Sequence, residues 1–387
     1  MSDSEEKTCK EDSKQPTLGQ DLVISILERL SFADFHRARC ISREWYYASK
    51  SCIRVTSPWI ILFPDVHDVE NNNSCKLFDP RDHSCYTVRD LGFDMARGRC
   101  LASSGCWFLM SDHRVEFHLL NLFTRERISL PPLESTDGFP MEFVRINDDN
   151  VWVTLNHENK ASRKKNSYYT VMGLRIGKAV LWVDEETRDY LVVWSYEGFL
   201  AYHKKGDDNN SWKVLEPLKN QRCVDMVYND SKLYVLSDTR VTVLDFFRGD
   251  SPMECASFKS PSFLYLFHDT NLVVTLSGEV LIVPGNEKKY RFRYLGCVDV
   301  YKMDPKSLEW IIINSIGDEA LLLDLGITVA ANDGVMKNCI YFYDLDEPDR
   351  RFTYVYHIQD RGLSYWFALP ISSKYARWFL NCCFKAK

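Results

Sequence analysis

The chain has 387 residues, 45% of them hydrophobic and 26% charged, which is too many for one small core and points to two domains, one of them large. A formal net charge of −6 gives no global attraction to phosphate backbones or anionic membranes, so protein partners are expected, with no nucleic acid and no membrane. No run of 18 apolar residues occurs, and the longest candidate, Leu321 to Ala331, is broken by Asp324. Residues 1–16 are polar, mixed in charge and end at Pro16; they read as a disordered tail without a secretory leader. Thirteen cysteines lie at irregular spacings with no C-x-x-C pair, which predicts free, mostly buried thiols in the cytoplasm or nucleus. The adjacent Cys382 and Cys383 read as strand-end packing rather than a redox pair.

Residues 17–52 carry helical periodicity. Leu22, Val23, Ile26, Leu27 and Leu30 fall on one face of a helix spanning Asp21–Leu30. Ser31 is placed to cap a second helix, with Asp34 three residues on and Phe35, Ala38 and Arg39 continuing it. A third helix is expected from Ser42 to Ser49, carrying Trp45 and Tyr46. Pro58 marks a boundary.

Beyond Pro58 the texture changes to short β-prone runs between Asn, Asp, Gly and Pro turns, among them Trp59–Phe63, Cys106–Met110, Tyr190–Trp194, Lys232–Leu236 and Cys339–Tyr343. The 13% aromatic content suits such pleated surfaces. A loose repeat joins 104–121, 231–246 and 337–358: a polar turn, an apolar-aromatic strand, a second turn, then an alternating strand. A second unit recurs in 301–313 and 119–130, where Asp-Pro or Asn-Leu opens a turn ahead of a strand. Together the two units predict a four-stranded blade of about 40–50 residues, repeated six or seven times over 58–387 as a β-propeller. The fold class is therefore mainly β behind a small helical module.

Catalytic signatures are missing. His157-Glu158 lacks the second His of a zinc protease, and Ser162–Lys165 matches S-x-x-K only inside a basic polar loop. His113 and His118 read as surface and packing residues, and 71–73 and 207–210 as turns. Lys160, Arg163, Lys164 and Lys165 form a basic cluster that reads as a solvated loop, with an import signal as the alternative. No cofactor and no metal are expected.

Residues 18–49 resemble an F-box: Leu18, Asp21, the amphipathic Leu22–Leu30, Asp34, the basic Arg37–Arg39 and Trp45 stand in the family's order. Gly19 replaces the usual Pro, adding backbone freedom, and Ser42 stands where a Cys is common. The segments 58–64, 75–80, 100–132, 223–237, 298–310, 316–323 and 337–344 resemble plant F-box proteins with a KIB-type β-propeller. That resemblance implies a three-helix F-box at 17–52 that docks a Skp-type adaptor, and through it a cullin, by Leu18, Asp21, Leu22, Ile26, Leu27, Leu30 and Trp45. The propeller at 58–387 would then recruit a target protein for ubiquitination, without catalysis of its own. The rival readings are an F-box scaffold outside ubiquitin ligases and a propeller-fold hydrolase.

Overall fold

A computed structural model describes residues 18–30, 32–52, 58–65, 72–80, 83–137, 141–147, 150–155, 176–196, 198–207, 210–218, 221–248, 251–264, 270–285, 298–331, 335–344, 352–368 and 373–380. The chain divides into a helical unit within Met1–Thr56 and a β unit within Ser57–Cys382.

The helical unit holds α1 (Gln20–Arg29), α2 (Phe32–Arg39) and α3 (Arg43–Ser51). Val23 and Leu27 of α1 pack with Phe35, Ala38, Ala48 and Cys52, and Ile24, Leu30 and Trp45 lean on that cluster. Ser42 caps α3, its hydroxyl accepting from the Trp45 N–H at 3.3 Å, so the residue that departs from the usual Cys satisfies an otherwise orphaned amide. α3 runs two residues past the expected end. Ser31 and the basic cluster at 160–165 lie outside the described residues.

In the β unit, β1 (Pro58–Pro64), β2 (Cys75–Asp79) and β3 (Ser84–Val88) form the first blade. β4 (Arg99–Ser104), β5 (Trp107–Ser111), β6 (Phe117–Asn121) and β7 (Arg127–Ser129) form the second. After β8 (Thr136–Asp137) and the hairpin β9 (Met141–Asn147) and β10 (Asn150–Leu155), the third blade comprises β11 (Ala179–Val183), β12 (Tyr190–Tyr196), β13 (Phe199–Lys204) and β14 (Trp212–Val214). β8 adds to it in parallel, beside β14. The fourth is β15 (Cys223–Asn229), β16 (Lys232–Ser237), β17 (Arg240–Asp245) and β18 (Met253–Lys259). The fifth is β19 (Thr270–Val274), β20 (Val280–Pro284), β21 (Val300–Met303) and β22 (Trp310–Ile313). The sixth takes β23 (Glu319–Leu322), β24 (Ile327–Ala330), β25 (Cys339–Asp344), β26 (Phe352–His357) and β27 (Gly362–Ala368), and one bridge, Val274↔Ile327, joins it to the fifth. The last strand, β28 (Ser373–Leu380), returns to pair antiparallel with β1 and closes a six-bladed ring.

The core of this unit is a set of wedges between neighbouring blades. Val192 and Trp194 face the second blade, packing with Trp107, Phe117 and Trp212. Leu191 and Val193, the alternate residues of the same strand, face the fourth blade, packing with Met226, Leu233 and Leu244. A strand covered on both faces needs apolar residues at every position, which is why β1, β5 and β12 are buried throughout and read as continuous runs. Outer strands have only one covered face, and β18 is almost wholly exposed.

The recurrent turn has a local cause. Asn121, Asp184 and Asp304 each accept amide hydrogens from residues two or three further on, at 2.8–3.0 Å. Each turn passes through a left-handed residue, Arg125, Arg188 or Leu308, at φ of 61°, 60° and 57°. A short polar side chain that imitates a backbone acceptor fixes this geometry.

Two residues hold the sixth blade against its neighbours. Gly326, at φ +65°, accepts from the Val274 N–H at 2.9 Å, and a Cβ there would lie 2.8 Å from the Leu272 carbonyl oxygen. Asp324 Oδ2 accepts the Trp378 N–H at 3.0 Å, tying the closing strand to the β23–β24 turn. Burial pushes the Asp324 carboxyl up to about 7, against the pull of Arg377 and the backbone amides.

Gly326→Ala should lower propeller stability by at least about 1–2 kcal/mol, the cost of a left-handed L-residue, read by thermal unfolding. For Asp324, the folded pKa lies above the ordinary value of 3.8, so the folded state keeps a proton that the unfolded chain releases. Its contribution to stability is therefore present at low pH and is lost as pH rises from about 4 to about 7. Asp324→Asn keeps an oxygen for Trp378 but cannot ionise. Its melting temperature relative to wild type should climb across that window and level off above it.

Candidate functional site

The helical unit divides the residues of α1 between inside and outside. Leu18, Leu22 and Ile26 recur every four positions and are 54%, 58% and 38% exposed. Leu22 and Ile26 stack one turn apart on α1, while Leu18 precedes the helix and its Gly19 N-cap. Asp21 is exposed in the first turn, where a carboxylate suits the positive helix end. Leu27 departs from the expectation of a surface contact. It is fully buried, because with Val23 it occupies the arc of α1 that meets α2 and α3. Leu30 and Trp45 are half-buried against the same cluster, so they support the surface more than they extend it.

Three further apolar residues are exposed on this unit. Ile41, Tyr46 and Tyr47 are uncovered, with the Tyr46 and Tyr47 rings 5.8 Å apart edge to face. The Arg39 guanidinium lies 5.3 Å from the Tyr46 ring centre, a cation–π contact that holds the ring at the surface. The signal for the tyrosines was present in the sequence: Ala48 and Cys52, four apart, define the inner face of α3 and leave Tyr46 and Tyr47 outside it. No described helix is long and apolar enough to cross a membrane.

The first-helix start is geometrically ready for proline. Gly19 has φ −57° and ψ 144°, its carbonyl accepts from Leu22 and Val23, and a side chain added at its Cα would meet no atom within 4 Å. Proline prefers φ near −65°. Gly19→Pro should stabilise the helical unit by about 0.4–1 kcal/mol through the unfolded state. Hydrogen exchange of the α1 amides in the full chain should slow by about twofold to fivefold.

In the β unit the structure assembles groups that the sequence kept apart. Cys339 Sγ lies 3.3 Å from His357 Nδ1, and His357 Nε2 lies 3.0 Å from Ser364 Oγ. The grouping has the residue types of a thiol nucleophile and its base, but Cys339 is buried and its thiol is pushed up to about 11, first by desolvation and then by Asp360. A buried thiol in that state is packing. Asp112, Glu116 and His118 bring three possible metal ligands within 4.8 Å of one another. They do not fit a cation well, because Asp112 Oδ1 already accepts from the Arg114 and Glu116 amides and the Arg127 Nη2 sits 2.8 Å from His118 Nε2. His118 is buried there, as a packing residue should be.

The cysteines are mixed in environment. Cys52, Cys75, Cys100 and Cys339 are buried thiols, while Cys40, Cys85 and Cys255 are exposed. Cys106 corrects the expectation of free thiols throughout. It is buried and disulfide-bonded.

Comparison with known proteins follows the two-unit division. The model of the F-box domain matches residues 17–56, and that of the KIB1-4 beta-propeller matches 77–362. The chain is 55% identical over 401 residues to F-box protein KIB4 of Arabidopsis thaliana, covering 98% of each. It is 53% identical over 399 residues to F-box protein KIB2 of the same plant, covering 97% of this chain and 85% of that one. To the F-box/kelch-repeat protein KIB1 it is 53% identical over 348 residues, covering 88% and 80%.

Proposed function

Because this chain belongs to the family of F-box proteins with a KIB1-4 β-propeller, we propose that it is a substrate-recognition subunit of a Skp–cullin–F-box ubiquitin ligase. The observation that carries the reading is the exposed pair Leu22 and Ile26 on a helix whose other face already has a core, with exposed Leu18 just ahead of it. Three exposed large apolar side chains on a small unit are costly to leave in water. Fully burying each contributes about 1.5–3 kcal/mol. A helix presenting residues at this spacing suits an apolar groove or the helices of a partner, here a Skp-type adaptor that bridges to a cullin.

The propeller then captures a target protein in the cytoplasm or nucleus. The chain itself performs no chemistry: tethering raises the effective concentration of target lysines near the charged ubiquitin carrier, and other subunits make the bond.

Ile26→Asp places a charge on that exposed apolar face. If the face is buried on binding, that costs roughly 2–5 kcal/mol and weakens capture by about 30-fold to several thousandfold. Ile26 lies outside the helical core, so the unit should stay folded by circular dichroism. Leu27→Ala gives the contrasting result: it should lose about 2–5 kcal/mol of stability in the helical unit and lose binding only through unfolding. Pull-down of purified Skp-type adaptor by each full-length variant reads both effects. Undiminished capture by folded Ile26→Asp would overturn the proposal and leave the scaffold or hydrolase readings.

A further inference from the structure

The axial cavity of the ring, about 300 Å³, is lined by Arg99, Lys178, Asp225, Asp324 and Arg377 among others. Its charges answer one another: Lys178 Nζ lies 3.0 Å from Asp225 Oδ1, and Arg377 is set against Asp324 and Cys100. The apolar surface left to solvent lies elsewhere. In a four-stranded antiparallel meander, the turns after the first and third strands come to the same end of the blade. In or beside those turns of the fourth and fifth blades, Phe247, Met253, Leu276 and Leu308 are 50%, 53%, 61% and 64% exposed. Among the described residues, the turns at the other end of the second to fourth blades expose no large apolar side chain. The two ends of the ring therefore differ.

This face carries a cluster of three rings from two blades. Trp182 stands near the end of β11, Tyr228 near the end of β15, and Phe247 in the β17–β18 turn. Trp182 and Phe247 meet edge to face at 5.0 Å, and Trp182 and Tyr228 lie 6.0 Å apart at 44°. Trp182 and Tyr228 lean inward on the wedge core between the third and fourth blades, which holds both rings while leaving them partly open to solvent. Phe247 is set by its own turn, its N–H donating to Asp245 Oδ1 at 2.9 Å. Rings held in this way lose little freedom on binding, and aromatic residues are enriched at the centres of protein interfaces.

The cluster lies in a negative setting. Burial pushes the Tyr228 phenol up against the pull of the Ser231 hydroxyl, and the charges of Asp245 and Asp230 add to the rise. Asp230 is exposed and has no cation within ion-pair distance among the described residues. Asp245 Oδ2 lies 3.6 Å from Arg248 Nε, but the Arg248 side chain is 76% exposed, so this is a weak surface pair. Lys232 belongs to the other side of the blade: along β16 it alternates in step with Tyr234 and Leu236, which pack towards the fifth blade. Two carboxylates against one cation thus border the rings. Ring faces and carboxylates attract the same kind of group, a cationic side chain. An acidic segment would meet like charge here, and a purely apolar one would strip water from the carboxylates without replacing it.

We propose that the cluster of Trp182, Tyr228 and Phe247, with Asp230 beside it, is the target-capture site of the propeller, and that it takes an arginine or lysine side chain from an exposed segment of the target protein. The proposal rests on reading the propeller as the unit that captures targets.

The test is selection of random dodecapeptides displayed on phage against the immobilised full-length chain, followed by titration of the enriched peptides, synthesised with a fluorophore, by anisotropy. The enriched peptides should share an Arg or Lys whose replacement by Ala removes binding. Phe247→Ala should weaken their binding by about fivefold or more. Asp230→Asn should weaken it by about twofold to fivefold. Both side chains are exposed, and Asn accepts the left-handed backbone that Asp230 holds at φ 46°, so both variants should melt with wild type. Leu363→Ala, on the sixth blade, should leave binding unchanged. Capture of purified Skp-type adaptor by the same variants should match wild type, so a failure of the ligase reading shows there and a failure of this site shows in the peptides. The proposal is overturned if no peptide is enriched, if the enriched peptides are acidic or purely apolar, or if neither variant weakens their binding.

Discussion

The β unit depends on burying its inner strands on both faces. Val192 and Trp194 serve one wedge while Leu191 and Val193 serve the next, so a single strand joins two cores. The same alternation links the fourth blade to the fifth through Met226 and Val227, and the fifth to the sixth through Leu272 and Val273. A blade removed from the ring would leave a wedge open on each side. Closure by β28 follows from this: without it, Ile60, Leu62 and Phe78 of the first blade would lose Ala376 and Trp378, and with them the wedge they share with Ala320 and Tyr341. Stability in such arrays comes from neighbour contacts more than from each repeat by itself.

That constraint explains what could be read from the chain. The repeat at 104–121, 231–246 and 337–358 corresponds to the hairpins β5–β6 and β16–β17, the second and third strands of blades two and four, and β25–β26, the third and fourth strands of blade six. These are the strands that two-sided burial forces to be apolar, so their pattern survives divergence. The second repeat corresponds to third- and fourth-strand hairpins, β21–β22 and β6–β7, and it was visible because its turn needs Asn or Asp at one position. The parallel addition of β8 to the third blade left no such trace. It is set by a partner distant in sequence, which periodicity cannot report.

The same limit applies to the sites. Helical spacing placed Leu22, Ile26, Leu27 and Leu30 on one broad face, about as wide as such a pattern can resolve. Separating Leu27 from Leu22 and Ile26 required knowing where α2 and α3 sit, because a stripe wide enough to hold a core and a contact surface looks continuous in sequence. The axial charges were less legible still. Arg99, Lys178, Asp225, Asp324 and Arg377 are scattered over nearly 280 positions, roughly the span of a propeller of this size. Asp324 showed itself only as an interruption in an apolar run.

β28 shows how one strand can carry both roles. Ala376 and Trp378 point into the wedge between the first and sixth blades, while Arg377 between them lines the axis. Phe379 turns to the other side and meets Phe108 of the second blade at 5.8 Å. A strand's period of two lets adjacent residues answer to different surroundings. The wedge positions are held to apolar side chains by packing. The axial position is free of that demand, and its charge faces Asp324 and Cys100 within the ring. A charged residue retained within a closing strand, beside a carboxylate whose ionisation burial opposes, is a cost to stability that an apolar side chain would avoid. The ring tolerates it because the wedges on either side are complete without it.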